Sequence, residues 1–498
     1  MSPKIIKGII YTCLYSILIT PLLVWGKFLF PYITPKTFFF RIIIEIALFF
    51  YILLIIYKPE YRPKFSKLTW IILVYILIIT FASIFGVDFY RSFWGNIERG
   101  EGLLTIYHLF IFYILLISIF KEKKDWFRFF NASIFVSLIL AFYALGQKFE
   151  FGFLLQSSGG SRLTGTIGNA SFLAAYLLMS SFLCLFLFVN RKEIGWRVFY
   201  GLTFLFELYI IFQTETRGAL LGFFGGLLLI ALLTVLFSKN KKTKFYFAGL
   251  FLLLIIFAGS VWIFQDQSWV KNNNALRRLT QISFSDITTQ TRLLGWQAAG
   301  KGWQDRFLFG YGYENYNVAY NKYFPVAIFL DIGSRVWFDR AHNIVLDQAV
   351  PGGIFGLLSY LSIFGFSVWA LFSLLREKKE TGFIILIAFL AAYFVQNFFV
   401  FDTLGTYILF YLVLGFISYS LLENQSEEDN QVKASSEPRP FFIIILALIL
   451  IFSIYIFNVK PAIANTISIK GMSYAYGDMY REAMTEFKKS LNYGTYQA

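Results

Sequence analysis

The 498-residue chain is 58% hydrophobic and only 15% charged, with 62 phenylalanines and a formal net charge of +15. That balance excludes an ordinary soluble domain, in which about a quarter of residues are charged. The surplus Lys and Arg sit in short loops between apolar runs rather than in one stripe, which excludes a nucleic-acid surface and points to membrane topology.

Apolar runs follow one another at 8–30, 38–57, 68–86, 103–120, 131–150, 168–189, 197–213, 217–238, 245–265, 352–375, 382–400, 404–422 and 441–459. Most approach the roughly 20 residues that carry a helix across a bilayer. Backbone polar groups inside a bilayer must be satisfied within the segment. The prediction is therefore an all-α polytopic membrane protein of about 12 to 13 transmembrane helices. With so many runs in succession, the first reads as a span and not as a cleaved leader. When the short loops are assigned alternately, 22 of their Lys and Arg residues, among them Lys58, Lys121, Lys239 and Lys378, fall on the N-terminal side and 8 on the other. That side is cytoplasmic by the positive-inside rule, and the C-terminus lies outside. The segment 266–341 is too long for a passive connection and is predicted to be a large, partly helical outer loop. The stretch 423–440, "ENQSEEDNQVKASSEPRP", has a disordered composition and reads as a cytoplasmic linker. It separates a multi-span unit over 1–422 from an extra span at 441–459 and an outer piece at 460–498. Cys13 and Cys184 both fall inside apolar runs and offer neither a disulfide framework nor a metal site.

This topology gathers five unusual residues on the outer side. They are Arg99 in "WGNIERGEGL", Arg162 in "SRLTGTIGNASFLAAYL", Arg217 in "TETRGALLGF", Arg292 in "TQTRLLGW" and His342 in "RAHNIVLDQ". A guanidinium donates paired hydrogen bonds to phosphate and stays charged, so several at one membrane face suggest a diphosphate headgroup. Arg99 and Arg162 read equally as interfacial anchors that snorkel to lipid. Arg217 opens a span behind Glu215, and Gly218, Gly222, Gly225 and Gly226 follow it, allowing close helix packing. Its alternative role is an ion pair with Glu215 or with the intramembrane Glu207. Arg292 begins an amphipathic stretch that ends at Gly310-Tyr311-Gly312, which no strand precedes and which is not a nucleotide loop. Lys271, Arg277 and Arg278 read as solvated or headgroup contacts. Of the two histidines, His108 lies inside an apolar run and reads as a hydrogen-bonded packing residue. His342 stands among Asp339, Arg340, Asn343 and Asp347. An ordinary imidazole titrates near pH ~6.5, so a neutral one can accept a proton. No second histidine or outer cysteine accompanies it, which excludes zinc. Local spacing leaves both a general base and a plain helix-end residue open.

In order around the outer loop come "FWGNIERGEGL", "RLTGTIGNASFLAAYLLM", "ETRGALLGFFGGLLL", "TRLLGWQAAGKGWQDRFLFGYGYENY" and "AHNIVLDQAVPGGIFGLLSYL". From about Arg91 to Leu422 the chain resembles the O-antigen ligase and O-antigen polymerase family of bacterial envelope enzymes. The resemblance implies a GT-C-like glycosyltransferase of the bacterial inner membrane. Such an enzyme takes a glycan from undecaprenyl diphosphate, without metal or cofactor. It passes the glycan to a hydroxyl of the lipid A core, a protein or another envelope acceptor at the outer face. Carried over by motif, His342 is the catalytic base and Arg217 and Arg292 hold the diphosphate, with Arg162, Arg99 and Glu215 in support. A lipid diphosphate is already a good leaving group. The protein's tasks are then to position the anomeric carbon, to neutralise charge on the phosphates and to take the acceptor's proton, with inversion at the anomeric centre.

A polysaccharide polymerase shares this chemistry and is the alternative within the family. A transporter of lipid-linked glycans is the alternative of another class, whose sign is internal symmetry with broken helices; a non-catalytic assembly protein is a third. At the C-terminus, "GMSYAYGDMYREAMTEFKKSL" places Gly471, Tyr474, Tyr480, Ala483 and Phe487 at spacings similar to a tetratricopeptide repeat, the alternative being any amphipathic helical hairpin. A single repeat cannot bury its own face, so it is expected either to be a fragment of a longer array or to dock on the outer loop or on a protein partner. The remaining expected partners are membrane lipids, with no nucleic acid.

Overall fold

The structure is a computed structural model that describes residues 1–280, 287–330, 337–423 and 439–497. Among these, the regular elements are helices, with one isolated bridge between Gly159 and Arg162. In chain order they are α1 (Pro3–Ile17), α2 (Thr34–Tyr57), α3 (Lys67–Ile84), α4 (Phe89–Trp94), α5 (Leu103–Ile119), α6 (Lys123–Lys148), α7 (Ala170–Asn190), α8 (Ile194–Gln213), α9 (Arg217–Phe237) and α10 (Lys241–Ile263). There follow α11 (Ser268–Lys271), α12 (Asn274–Thr280), α13 (Ile287–Asp305), α14 (Tyr316–Lys322), α15 (Ile344–Lys378), α16 (Gly382–Asn397), α17 (Leu404–Leu422), α18 (Pro440–Ile454), α19 (Lys460–Tyr476) and α20 (Tyr480–Leu491).

Ten of the described helices are long and apolar enough to cross a membrane, counting Pro440–Tyr476 as one, and α5 and α16 are shorter apolar helices. The chain is an all-α, multi-pass membrane protein. The first apolar run, 8–30, does not form a span of this kind. Helix α1 stops at Ile17, a short 3-10 turn covers Thr20–Leu22, and Leu23 is extended. Pro21 has no N–H with which to continue the helical ladder. The last run extends in the other direction. A π turn over Tyr455–Val459 joins α18 to α19 without a break, and Pro461 sits in the first turn of α19. A proline removes one helical hydrogen bond and pushes away the carbonyl four residues earlier, and the widened π turn absorbs both effects. The linker read over 423–440 falls almost wholly at 424–438, outside the described residues.

The helices form two compact units. The first comprises Met1–Ile76, Asp88–Ala132 and Phe410–Ala498. Within it α2 packs on α1, α5 and α18, and α19 pairs with α20. A buried polar knot ties α2 to the last long helix. Glu45 accepts from Asn458 Nδ2 at 2.8 Å and Ser453 Oγ at 3.0 Å, and its Oε1 lies 3.1 Å from His108 Nε2. The other His108 nitrogen lies 2.6 Å from the Leu104 carbonyl, so His108 is a hydrogen-bonded packing residue. In the α19–α20 hairpin Gly471 lies against the Phe487 ring, leaving no room for a Cβ. The likeness to a tetratricopeptide repeat rests on that spacing alone.

The second unit comprises Leu77–Val87 and Ser133–Leu409. Helix α9 packs on α16, α7 and α10. Gly218, Gly222 and Gly226, four residues apart, share one face, and a Cβ on Gly222 would lie 2.7 Å from the Ala392 carbonyl. Gly225, expected to join that face, looks onto open space because it stands one position off the repeat. The close approach fixes the start of α9 against the end of α16. Glu207 does not serve as a partner for Arg217. It accepts from Ser137 Oγ at 2.6 Å, Ser180 Oγ at 2.9 Å and Ser181 Oγ at 3.2 Å, binding α6, α7 and α8 together.

The described part of 266–341 is largely helical. Helices α13 and α14 form a small core in which Ala298, Tyr316 and Tyr320 pack with Ala341 and Val350. Helix α15 is broken at Gly353, with φ 64° and ψ −164°. The break lies at the expected Pro351-Gly352-Gly353. Carbonyls released there are taken up by the Gly310-Tyr311-Gly312 turn: Tyr311 N donates to Val350 O at 3.0 Å and Gly312 N to Pro351 O at 2.8 Å. That turn, which local sequence shows only as not binding nucleotide, is a cap for a broken helix.

Candidate active site

A cavity of about 290 Å³ lies within the second unit. Four arginines from four separate segments line it: Arg162 from the loop before α7, Arg217 from the first position of α9, Arg278 from α12 and Arg292 from α13. Glu215 is the one carboxylate among its described lining residues, and Trp296 and Phe399 supply apolar wall. Arg162 donates from Nε to the Thr214 carbonyl at 2.8 Å and from its terminal nitrogen to Thr216 Oγ1 at 3.1 Å, pinning the α8–α9 corner. At that corner Glu215 has a left-handed φ of 51°. Its carboxylate pairs with Arg278 at 3.4 Å and accepts from Asn274 Nδ2 at 3.0 Å, which ties α12 to the start of α9.

The cavity is strongly positive. Burial first, then the neighbouring Arg278 and Arg292 cations, holds Arg162 below the usual arginine value, while Glu215 opposes the shift. Excess cationic charge in a partly dehydrated recess is relieved by a bound anion, and guanidinium forks suit phosphate or carboxylate oxygens.

His342 is half-buried and stands immediately before Asn343, which caps α15 by accepting from Val345 N at 3.0 Å and Leu346 N at 3.3 Å. Its φ is 51°, a conformation that L side chains rarely adopt and that neighbours must enforce. The neighbours do so through Ala341. Asp347 Oδ1 accepts the Ala341 N–H at 2.7 Å, and the Ala341 carbonyl accepts from Trp296 Nε1 at 3.0 Å. The imidazole lies edge-on between Phe338 and Phe401, at 5.2 and 4.9 Å. Its Nδ1 is 3.2 Å from the Arg340 carbonyl. A carbonyl only accepts, so in the neutral ring Nδ1 carries the proton and Nε2 is the acceptor nitrogen. Although His342 is not among the lining residues, Trp296 and Val400 are, and each is one step from it: Trp296 through Ala341, and Val400 through its chain neighbour Phe401.

The structure thus brings Arg162, Arg217, Arg292 and Glu215 to one cavity and sets His342 behind its wall. Arg99 lies in the first unit, buried in a turn whose carbonyl accepts from Thr37 Oγ1 at 2.9 Å. Sequence reasoning placed Arg278 with the solvated cations; instead it lines the cavity, whereas Lys271 and Arg277 are exposed. Trp296 carries no sequence signal beyond its place in the amphipathic stretch that Arg292 begins.

Residues 202–361 match the O-antigen ligase family. The matched segment, about a third of the chain, runs from α8 into α15 and includes Arg217, Arg278, Arg292, His342 and Asp347. The flanking Arg162 and Phe399 complete the cavity. The chain is also 26% identical, over 224 residues, to the teichuronic acid biosynthesis protein TuaE of Bacillus subtilis (strain 168). That match covers 44% of this chain and 42% of the relative, so the likeness spans less than half the length of either. These two likenesses link the multi-pass protein to polysaccharide biosynthesis.

Proposed function

We propose that the protein is a GT-C-like glycosyltransferase of the bacterial inner membrane that moves a glycan from undecaprenyl diphosphate onto an acceptor hydroxyl at the outer face. The observation that carries this reading is the convergence of four arginines, from four segments, on one cavity with a single carboxylate among its described lining residues. Arg217 and Arg292 hold the diphosphate and take up the charge that grows on it as the anomeric C–O bond breaks. Arg162 and Glu215 set the corner from which Arg217 projects, and Arg278 adds a fourth cation. His342 accepts the proton of the acceptor hydroxyl at Nε2, while Nδ1–H stays on the Arg340 carbonyl, as the new glycosidic bond forms on the opposite face. The anomeric centre inverts. Asp347 and Trp296 are positioning residues that hold the turn carrying His342.

The test is transfer in vesicles by the purified protein, with undecaprenyl diphosphate-linked glycan and defined acceptors. His342→Ala and Arg217→Ala are expected to fold and to lose transfer, and chelator is expected to leave the wild type unchanged. Full activity in His342→Ala would remove the base from the mechanism, and glycan crossing the vesicle without a new covalent product would favour a transporter. The likeness to a protein named for teichuronic acid biosynthesis supports a second reading, in which the acceptor is itself a glycan and the product a lengthened lipid-linked chain. Product length separates ligation from polymerisation.

A further inference from the structure

The first unit holds a cavity of its own, about 480 Å³, walled by residues 23–28, α2 and the continuous helix that contains α18 and α19. Phe28, Phe38, Phe39 and Ile463 make most of its surface apolar, and Trp25 beside them is 57% exposed. Two polar features break this surface. Lys27, exposed at the rim, is the one cation among the described lining residues. Asn458, in the π turn, is fully buried. Its Nδ2 donates to Glu45 at 2.8 Å, and a carboxylate can only accept, so the amide orientation is fixed. That leaves Asn458 Oδ1 as a buried acceptor without a donor, an arrangement that destabilises the fold unless a donor reaches it.

We infer that this cavity binds an anionic glycerophospholipid whose headgroup carries a hydroxyl. An acyl chain occupies the aromatic surface, the phosphodiester pairs with Lys27, and the headgroup hydroxyl donates to Asn458 Oδ1. A single lysine balances the single negative charge of a phosphodiester, unlike the four-arginine cavity of the other unit, which suits a more highly charged diphosphate. Tryptophan and lysine are the residues that favour the headgroup level of a bilayer. A π turn within an otherwise α-helical run often marks a functional site.

The test uses the full chain in phosphatidylcholine nanodiscs titrated with phosphatidylglycerol, with retained lipid counted by native mass spectrometry and the melting temperature followed in parallel. One phosphatidylglycerol is expected to bind saturably and to raise the melting temperature. Lys27→Gln should weaken it about fivefold, the effect of losing one cation near an anionic headgroup. Ala462→Phe, which fills the cavity from α19, should abolish it, and Lys27→Gln keeps the test decisive if the bulkier variant misfolds. Phosphatidylmethanol has the same charge but no headgroup hydroxyl and should bind several-fold more weakly. Equal retention of phosphatidylcholine, equal binding of phosphatidylmethanol, or phosphatidylglycerol binding unchanged in both variants would each overturn the inference.

Discussion

Replacing Asp347 by alanine and by asparagine separates a positioning role from a purely structural one. Asp347 Oδ1 is the acceptor for the Ala341 N–H at 2.7 Å, and both residues are buried. In Asp347→Ala that N–H loses its partner, which costs about 1–3 kcal/mol. The adjacent left-handed conformation of His342 costs a further ~1–3 kcal/mol and persists only while its surroundings enforce it. The two terms are of similar size, so the turn is expected to relax and the imidazole to move. A displacement of about 1 Å at a reacting group costs on the order of 100-fold in rate. The expected result in the vesicle transfer assay is therefore a kcat about 100-fold lower, with donor KM unchanged because the arginine cavity is intact. Asparagine keeps an oxygen for Ala341 and replaces Oδ2, which accepts no hydrogen bond in the structure, so Asp347→Asn should retain most of the activity. A folded Asp347→Ala variant with wild-type kcat would refute the reasoning, as would equal losses in alanine and asparagine variants.

Arg278→Ala should raise donor KM about tenfold or more, the loss of one charge-assisted contact, while Arg277→Ala on the exposed side of the same helix should not, as steady-state kinetics on the two variants will show. Gly353→Ala should destabilise the protein by about 3 kcal/mol, read as a lower melting temperature in detergent. Its φ of 64° disfavours a side chain, and a Cβ would collide with the Leu308 backbone. Hydrogen bonds from Lys322 Nζ and Tyr311 OH, both at 2.6 Å, hold the Asp305 carboxyl below its usual range. A depressed carboxylate stabilises the fold above its unfolded value of 3.8 and loses that contribution as pH falls through the lower folded value. The wild type should therefore lose melting temperature below about pH 4 more steeply than Asp305→Asn.

Hydropathy alone carried most of the fold, because a bilayer-spanning helix must be apolar along its whole length whatever it packs against. The exceptions have local causes that hydropathy does not weigh. The run at 8–30 is apolar enough to cross, yet Pro21 ends its first helix. The final helix passes through Pro461 because a π turn precedes it, and a sliding average has no term for either event. Glycine spacing was legible at Gly218, Gly222 and Gly226, since a four-residue period defines a helix face, and the same rule excludes Gly225. His108 was legible as a packing residue, although its partner Glu45, 63 positions away, was not.

The site shows the same division between what is local and what folding brings together. Arg217 stands out because it opens an apolar span, a placement that is costly unless the charge is used. Arg278 has no such signal: beside Arg277 in a polar stretch it looks solvated, and only the long-range pairing with Glu215 turns it toward the cavity. His342 was conspicuous as one of two histidines, but its strained φ and the two side chains gripping Ala341 arise from tertiary packing. Trp296 contributes to both features, lining the arginine cavity and holding the Ala341 carbonyl. An anion entering that cavity therefore meets the same indole that fixes the histidine turn, which couples donor binding to the placement of the base. Trp296→Phe keeps an aromatic face on the wall and removes the N–H together with the pyrrole half of the ring. It is expected to lower kcat with little effect on donor KM, and a rise in KM with unchanged kcat would show that the indole serves the donor alone.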